Sequence, residues 1–290
     1  MSREAQRAMW LMAAFVLVWT VVEATAASLL KRYSPYQVVW TRYAVHLVLL
    51  ALICGWRQPS RLWRTTRPGF QIARSLLMLV MPASWVVSTQ WGVPMSTTMA
   101  VFWLAPLLIM GWAAIFLGER SPWWMWGLCA LASLGGMVLF VPQWPPAPWL
   151  LAAPVAMAAS FSLYIVMTRS LRTEGVRANL FYTALGVLLA LTPFMPGLWI
   201  TPGLADLARM AAVGALGLVG LWRVDRLAAA APVSVSAPVC YLQLSATIVA
   251  AIALGHWRVD GQHLIALALV SLPAFLLARS AWPRRLPEPA

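Results

Sequence analysis

The chain has 290 residues, of which 62% are hydrophobic and 10% are charged. Soluble globular domains carry about 25% charged residues, so this composition excludes a water-soluble fold. The formal net charge of +13 raises nucleic-acid binding as one explanation, but the positions of the basic residues along the chain argue for a different one.

Apolar stretches of about 20 residues follow one another along nearly the whole chain, and each is long enough to cross a hydrocarbon core of about 30 Å as a helix. They are predicted at residues 8–30, 36–56, 69–91, 95–117, 123–141, 147–168, 178–198, 204–222, 231–254 and 262–281. Strands of a membrane barrel need only about 10 residues of alternating character, whereas these stretches are longer and apolar on every side. The sequence therefore predicts an all-α integral membrane protein with ten transmembrane helices.

Basic residues concentrate in every second connection between the predicted spans. Those connections and the two termini hold 15 of them, and the opposite connections hold 3. The larger set is Arg3, Arg7, Arg57, Arg61, Arg64, Arg67, Arg120, Arg169, Arg172, Arg177, Arg223, Arg226, Arg279, Arg284 and Arg285, and the smaller set is Lys31, Arg32 and Arg258. The positive-inside rule then places both termini in the cytoplasm, with the helices in a bacterial inner membrane. The basic residues are a topology signal with contacts to membrane lipids, and no nucleic acid is expected as a partner.

Two similar halves follow one another along the chain. The segment Ala113-Ala114-Ile115-Phe116-Leu117-Gly118 recurs 137 residues later, from Ala250, with one difference, and Pro94-x-Ser96 recurs as Pro232-x-Ser234. We predict a first five-helix repeat at 1–142, a second at 147–281 and a cytoplasmic tail at 282–290. Because each repeat has an odd number of spans, the second enters the membrane with opposite polarity, an arrangement common in secondary transporters.

Several segments resemble a known family. Pro35-Tyr36-Gln37-Val38-Val39-Trp40-Thr41-Arg42-Tyr43, Ala105-Pro106-Leu107-Leu108, Phe116-Leu117-Gly118-Glu119-Arg120 and Gly135-Gly136 are similar to the EamA-type branch of the drug/metabolite transporter superfamily. In the second half, His256 stands in the place of Glu119 and Gln243 in the place of Pro106. The resemblance implies ten helices, cytoplasmic termini and a central cavity lined mainly by the first, third, fourth, sixth, eighth and ninth helices.

Four predicted spans carry polar, aromatic and thioether side chains at helical spacing, so that each set shares one face. The sets are Arg74, Met78, Met81, Trp85 and Ser88; Ser96, Met99, Trp103 and Pro106; Met157, Ser160 and Tyr164; and Ser236, Cys240, Gln243 and Thr247. Methionine and aromatic walls suit an amphipathic or aromatic solute. Small and hydroxylated residues also mediate ordinary helix packing in membranes, so packing is the alternative for each face.

Charged residues within spans carry more information, because a charge at the bilayer centre costs at least about 2.5 kcal/mol. Glu23 and Arg42 lie at similar depth in neighbouring spans and could pair; otherwise Glu23, one turn from Trp19, faces the cavity and binds a proton or a cationic group. Arg74 and Arg209 either extend to the membrane surface or hold a carboxylate. Glu119, with Ser121 and Pro122, is expected to help start the fifth helix.

The candidate function is that of a secondary transporter, either a facilitator or proton-linked. The predicted solute is an amino acid, aromatic ones included, or a related amphipathic metabolite, with export favoured. The predicted substrate-binding residues are Trp19, Glu23, Arg74, Met78, Trp85, Ser88, Trp103, Tyr164, Arg209 and Gln243. A channel or a membrane scaffold is the alternative.

An enzyme, a cofactor and a metal site are not expected. The sequence contains no H-E-x-x-H, no G-x-S-x-G and no P-loop, so neither a known hydrolytic motif nor ATP-driven transport is indicated. Cys54, Cys129 and Cys240 lie inside predicted spans without C-x-x-C spacing, and they indicate neither a disulfide framework nor a metal site.

Overall fold

A computed structural model describes residues 3–55, 60–253 and 260–281, and within these ranges the chain is helical, with no β-strand. The α-helices are α1 (Arg3–Leu29), α2 (Pro35–Leu50), α3 (Ser60–Trp63), α4 (Pro68–Gln90), α5 (Met95–Phe102), α6 (Ala105–Leu117), α7 (Trp123–Phe140), α8 (Ala152–Ser170), α9 (Val176–Leu191), α10 (Met195–Leu198), α11 (Leu204–Ala230), α12 (Val233–Ser236), α13 (Leu242–Ala253) and α14 (Gly261–Ala281). A π-helical turn extends α2 over Ala51–Gly55, and 3₁₀ turns occupy Pro148–Leu151, Thr192–Phe194 and Ala237–Tyr241.

Eight helical segments of the described chain have the length and apolarity of a membrane crossing. They are Met9–Leu29, Pro35–Gly55, Pro68–Gln90, Met95–Leu117, Trp123–Phe140, Pro148–Ser170, Val176–Leu198 and Leu204–Ala230. Shorter apolar helices, Ala237–Ala253 and Gly261–Pro273, overlap the remaining two predicted spans, and the count of ten stays a prediction. The prediction of an all-helical protein built for a membrane is confirmed. The predicted tail, 282–290, lies outside the described residues.

Two of the predicted spans contain a break near their middle. α5 ends at Phe102 and α6 begins at Ala105, with Pro106 in its first turn. The segment from α12 to α13 passes through a 3₁₀ turn that contains Pro238. Because proline lacks the backbone N–H that a continuous helix needs, each break has a local cause. Residues at both breaks, among them Trp103 and Cys240, are buried.

Close helix contacts depend on glycines at two positions. A Cβ on Gly214 of α11 would lie 2.5 Å from Cβ of Val45 on α2 and 3.2 Å from the carbonyl oxygen of Arg42. A Cβ on Gly135 of α7 would lie 2.8 Å from Cγ2 of Val270 on α14. Both glycines therefore allow helix backbones to approach more closely than any larger residue permits. The most extensive helix pairs are α1 with α11, α4 with α8, and α7 with α14.

Candidate functional site

A cavity lies between α1, α4, the α5–α6 break, α8 and the α12–α13 segment. Its wall is mostly aromatic and apolar, with one carboxylate and one carboxamide. The lining residues are Phe15, Trp19, Glu23, Met81, Phe102, Trp103, Ala105, Pro106, Phe161, Cys240 and Gln243. These residues come from the first, third, fourth, sixth and ninth predicted spans, which are among the helices that the family resemblance implies.

The cavity is narrow, although Glu23 on its wall is an exposed residue. The space open to the centre of a water molecule is about 20 Å³, close to the minimum that holds one ordered water. A metabolite is many times larger than this. Entry of a solute therefore requires helices or side chains around the cavity to move apart.

Glu23 supplies the charge of the cavity. Its carboxylate accepts hydrogen bonds from Nε1 of Trp19 at 3.1 Å and from Nε2 of Gln243 at 2.7 Å. Trp19 lies one turn before Glu23 on α1, so both side chains share a face of that helix. Among the described residues that line the cavity, Glu23 alone is charged. A solute in this space meets a carboxylate, which favours a cationic group.

Arg42 does not pair with Glu23, although the sequence left that pairing open. Nη2 of Arg42 donates to the hydroxyl of Tyr43 at 3.3 Å, and its guanidinium lies 4.8 Å from the Tyr43 ring and 5.5 Å from the Trp19 ring. The ion pairs found in the described part of the chain do not join Arg42 to Glu23. Glu23 lines the cavity, and its binding of a proton or a cationic group stays a prediction.

The aromatic wall of the cavity is held in a fixed arrangement. Phe15 and Trp19 stack with ring centroids 5.4 Å apart, and Phe102 meets Trp103 edge to face at 5.5 Å. Trp103 also contacts Tyr241 at 6.1 Å, and the Tyr241 hydroxyl lies 2.7 Å from Oγ of Ser133. Such pairs add about 0.5–1.5 kcal/mol beyond buried area. The rings therefore present stable faces against which a planar group can stack.

Arg74, predicted either to extend to the surface or to hold a carboxylate, lies elsewhere. Its side chain is completely buried and donates to Oγ1 of Thr168, Oε1 of Gln71, the carbonyl oxygen of Asn179 and Oγ1 of Thr183, at 2.7–2.9 Å. These neutral acceptors come from α4, α8 and α9 and replace water around the guanidinium. The expectation that Arg74 extends to the surface is wrong, because the bundle itself provides its acceptors.

The surroundings of Arg74 form a second polar cluster, separate from the cavity. The guanidinium lies 5.2 Å from the ring of Tyr164. Nδ2 of Asn179 donates to Oδ1 of Asp225 on α11 at 2.7 Å, and the charge of Arg74 acts on that carboxylate. We call Arg74, Asn179, Asp225 and their bonded neighbours Gln71, Thr168 and Thr183 the arginine cluster. It ties α4, α8, α9 and α11 together by buried polar contacts.

Other predicted binding residues lie outside the set that lines the cavity. Arg209, about half exposed, pairs with Asp206 at 2.7 Å near the start of α11. Met78 and Ser88 are buried and Trp85 is half-buried on α4. The structure brings together Trp19, Glu23, Trp103 and Gln243, and a role for the others in binding stays a prediction.

Sequence reasoning missed three aromatic residues of the cavity. Phe15 lies one turn before Trp19, and Phe102 lies directly before Trp103. Phe161 follows Ser160, which belongs to one of the predicted faces. Extending the face of Glu23 and Trp19 by one more turn would have found Phe15.

The sequence suggested that Glu119 helps to start α7, and this prediction is wrong. Glu119 instead joins separate helices. Its Oε1 lies 3.3 Å from Nε of Arg169 on α8, and its Oε2 accepts from the backbone N–H and the hydroxyl of Ser234 at 3.2 and 2.9 Å. Nη1 of Arg169 also donates to the carbonyl oxygen of Ala228 on α11. Glu119 does not cap α7, which begins after Pro122 without a side-chain cap. It closes the end of the bundle where α6, α8 and α11 terminate.

A shallow surface cleft lies at the α3–α4 connection. It is lined by Trp63, Arg64, Thr65, Thr66 and Glu174. Hydrogen bonds from Thr66 hold the pKa of Glu174 below its usual value. The cleft lies on connections between helices, away from the cavity. The hydrogen bonds from Thr66 satisfy the carboxylate of Glu174.

Comparison with known proteins points to transport. No family model matches the chain. It is 24% identical over 238 residues to the S-adenosylmethionine uptake transporter of Rickettsia conorii, covering 80% of each chain. Identity to the protein of the same name from Rickettsia prowazekii is also 24%, over 224 residues, covering 76% of this chain and 74% of the relative.

A solved crystal structure of a protein shares the fold. Its TM-score is 0.78 at 17% identity, and the match covers 95% of this chain and 99% of the other. The apolar helices and the bacterial transporter relatives together support an integral membrane protein that transports a small metabolite.

Proposed function

We propose that the protein is a secondary transporter of the drug/metabolite type for a small cationic metabolite that carries a planar ring. The observation that carries this proposal is the position of Glu23. Its carboxylate is the one charge among the described residues of a cavity that is otherwise aromatic and apolar. A cation with an attached ring matches both parts of this wall, through charge-assisted contacts and through stacking.

S-adenosylmethionine belongs to this class of solute. It combines a sulfonium cation, an amino-acid group and an adenine ring, and the relatives in Rickettsia are named as transporters for its uptake. The amino-acid group keeps this proposal within the sequence-based expectation of an amino acid or a related amphipathic solute. The ring accounts for the aromatic wall, and the sulfonium accounts for Glu23.

The proposed direction of transport follows from the membrane potential. A carrier without a nucleotide-binding motif moves its solute down the available electrochemical gradient. A cationic solute is drawn to the negative side of the membrane, which is the cytoplasm. We therefore propose uptake, in agreement with the names of the relatives, and export stays the alternative from the sequence.

Two inverted five-helix repeats in the inner membrane, with cytoplasmic termini, complete the proposal. The helix contacts support the repeats. In the proposed symmetry α1, α2 and α4 of the first half correspond to α8, α9 and α11 of the second. The contact of α1 with α11 then corresponds to that of α8 with α4, and the contact of α2 with α11 to that of α9 with α4. α7 and α14, which end the two halves, pack on each other. Such symmetry gives two similar packings of one site, open to each side in turn.

Uptake into proteoliposomes tests the function. The labelled panel contains S-adenosylmethionine, its demethylated thioether, which lacks the sulfonium charge, an aromatic amino acid and a dicarboxylate. We expect saturable uptake of S-adenosylmethionine, weaker uptake of the thioether and none of the dicarboxylate. Glu23→Gln should lower uptake of the cation by about tenfold or more, because it removes a charged partner in a low-polarity site.

Glu174→Gln is the matched control, since it neutralises a carboxylate in the surface cleft and outside the membrane-spanning helices. It should transport like the wild type. Folded protein that moves no solute of the panel would favour a scaffold, and rapid flux without saturation would favour a channel. Equal effects of Glu23→Gln on the cation and on the neutral thioether would contradict recognition of charge by Glu23.

A further inference from the structure

Gln243 donates to the carboxylate that the proposed cation would bind. Its Nε2 donates to Oε2 of Glu23 at 2.7 Å, while Trp19 bonds the other oxygen. The two partners are 220 residues apart in sequence and lie on α1 and α13. Gln243 is buried, with 6% of its surface exposed. Each oxygen of the carboxylate therefore accepts a hydrogen bond from one neutral donor.

The bond places the carboxamide where a cationic group would approach. Glu23 is an exposed residue on the cavity wall, and each of its carboxylate oxygens has two lone pairs. A cationic group that binds Oε2 of Glu23 therefore either displaces the carboxamide of Gln243 or shares the oxygen with it. The two donors therefore compete for one oxygen.

An unpaired carboxylate would hinder the empty carrier. A charge without a partner in a low-polarity site costs several kcal/mol. A carrier without bound solute must still change between the conformations that open to the two sides of the membrane. A carboxamide N–H carries partial positive charge and reduces this cost without a bound solute. The first half of the chain has Pro106 in the place of Gln243, and proline has no N–H to donate. Only the second half provides this donor.

We infer that Gln243 is an internal substitute for the cation of the solute, which lets the empty carrier reorient and so permits net transport instead of obligatory exchange. This inference rests on the proposed function. It assigns to Gln243 two effects of opposite sign. The carboxamide lowers the affinity for a cationic solute by competing with it, and it speeds the return of the empty carrier.

Two variants test the inference in reconstituted full-length protein. Gln243→Met keeps the length of the side chain but removes its donor, and Gln243→Asn keeps the carboxamide but shortens its reach. Gln262→Met is the control, because Gln262 is exposed and donates to the carbonyl oxygens of Val138 and Leu139, away from the cavity. At pH 7.5 we measure binding of labelled S-adenosylmethionine, its exchange against unlabelled internal solute, and its net uptake into empty vesicles.

Both variants should bind S-adenosylmethionine more tightly than the wild type, Gln243→Met by about tenfold, as expected for loss of a competing hydrogen bond to a charged group. Exchange should persist at wild-type rates or above. Net uptake should fall by about tenfold relative to exchange. The control should match the wild type in all three measurements.

The outcomes separate the two proposals. A wild-type protein that neither binds nor moves the cation would overturn the proposed function itself. If the wild type transports, unchanged affinity and unchanged net uptake in both variants would overturn the role of Gln243 alone. Loss of binding in both would make Gln243 a direct contact of the solute, and net uptake rescued at low pH would assign the neutralising role to a proton. Either result would also overturn the inference.

Discussion

Arg169 on α8 and Glu119, after α6, form an ion pair with Nε and Oε1 3.3 Å apart, and both side chains are nearly buried. Removing one partner of such a pair leaves an unpaired charge. We expect Glu119→Ala to lower the free energy of unfolding by about 3 kcal/mol. Thermal unfolding of the detergent-solubilised protein measures this. Arg120→Ala, at the exposed neighbouring position, should unfold at the same temperature as the wild type. If Glu119→Ala also unfolds at that temperature, the ion pair contributes nothing to stability.

The arginine cluster should behave as one unit. Arg74→Met removes a completely buried guanidinium with four hydrogen bonds and should cost about 3–5 kcal/mol of stability. Combining it with Asp225→Asn should cost less than the sum of the two single changes, because each removes the charge that balances the other. A double-mutant cycle on chemical unfolding measures the difference. Arg177→Met, at an exposed site at the start of α9, is the control. If the effects of Arg74→Met and Asp225→Asn on stability are strictly additive, the two residues do not interact.

Trp103 should select for a ring on the solute. It is nearly buried and lines the cavity. Stacking of a base on an aromatic side chain is worth about 1–3 kcal/mol, so Trp103→Leu should raise the KM for S-adenosylmethionine about tenfold, while Trp103→Phe should have a smaller effect. Trp123→Leu changes a tryptophan that is 84% exposed and should leave the KM unchanged. Equal KM values for the leucine and phenylalanine variants of Trp103 would contradict stacking.

Gly135 and Gly127 on α7 form a matched pair for helix packing. A Cβ on Gly135 meets both the side chain and the backbone nitrogen of Val270, at 2.8 and 3.2 Å, whereas a Cβ on Gly127 meets no described atom within 4 Å. Gly135→Ala should therefore force α7 and α14 apart and cost about 1–3 kcal/mol. Gly127→Ala should be neutral. The yield of monodisperse protein and its thermal midpoint measure both, and equal behaviour of the two variants would contradict the packing argument.

Segment positions were accessible from the sequence because hydrophobicity along the chain decides which residues cross the membrane. The predicted span at 69–91 corresponds to Pro68–Gln90, and the span at 95–117 to Met95–Leu117. The break before Pro106 was not anticipated, although its cause is local. Transmembrane spans and polar helix faces depend on residues that are close in sequence, so both can be predicted from the sequence.

The partners of buried charges were not accessible in the same way. Helical spacing placed Arg74 and Met81 on one face, yet only Met81 lines the cavity. Arg74 instead meets acceptors on α8 and α9, more than 90 residues away. The contact between Glu23 and Gln243 likewise joins distant helices. Spacing defines the face of one helix, whereas the identity of the helix opposite depends on how the whole bundle packs.

The small volume of the cavity has a consequence for the cell. A pore wide enough for a metabolite would also conduct protons and sodium, and a single leak of that kind would dissipate the membrane potential on which the cell depends. Here the space open to the centre of a water molecule is about 20 Å³, which is too small for a continuous file of water through this part of the bundle. The aromatic side chains that form the cavity wall therefore also oppose an ion leak at this point.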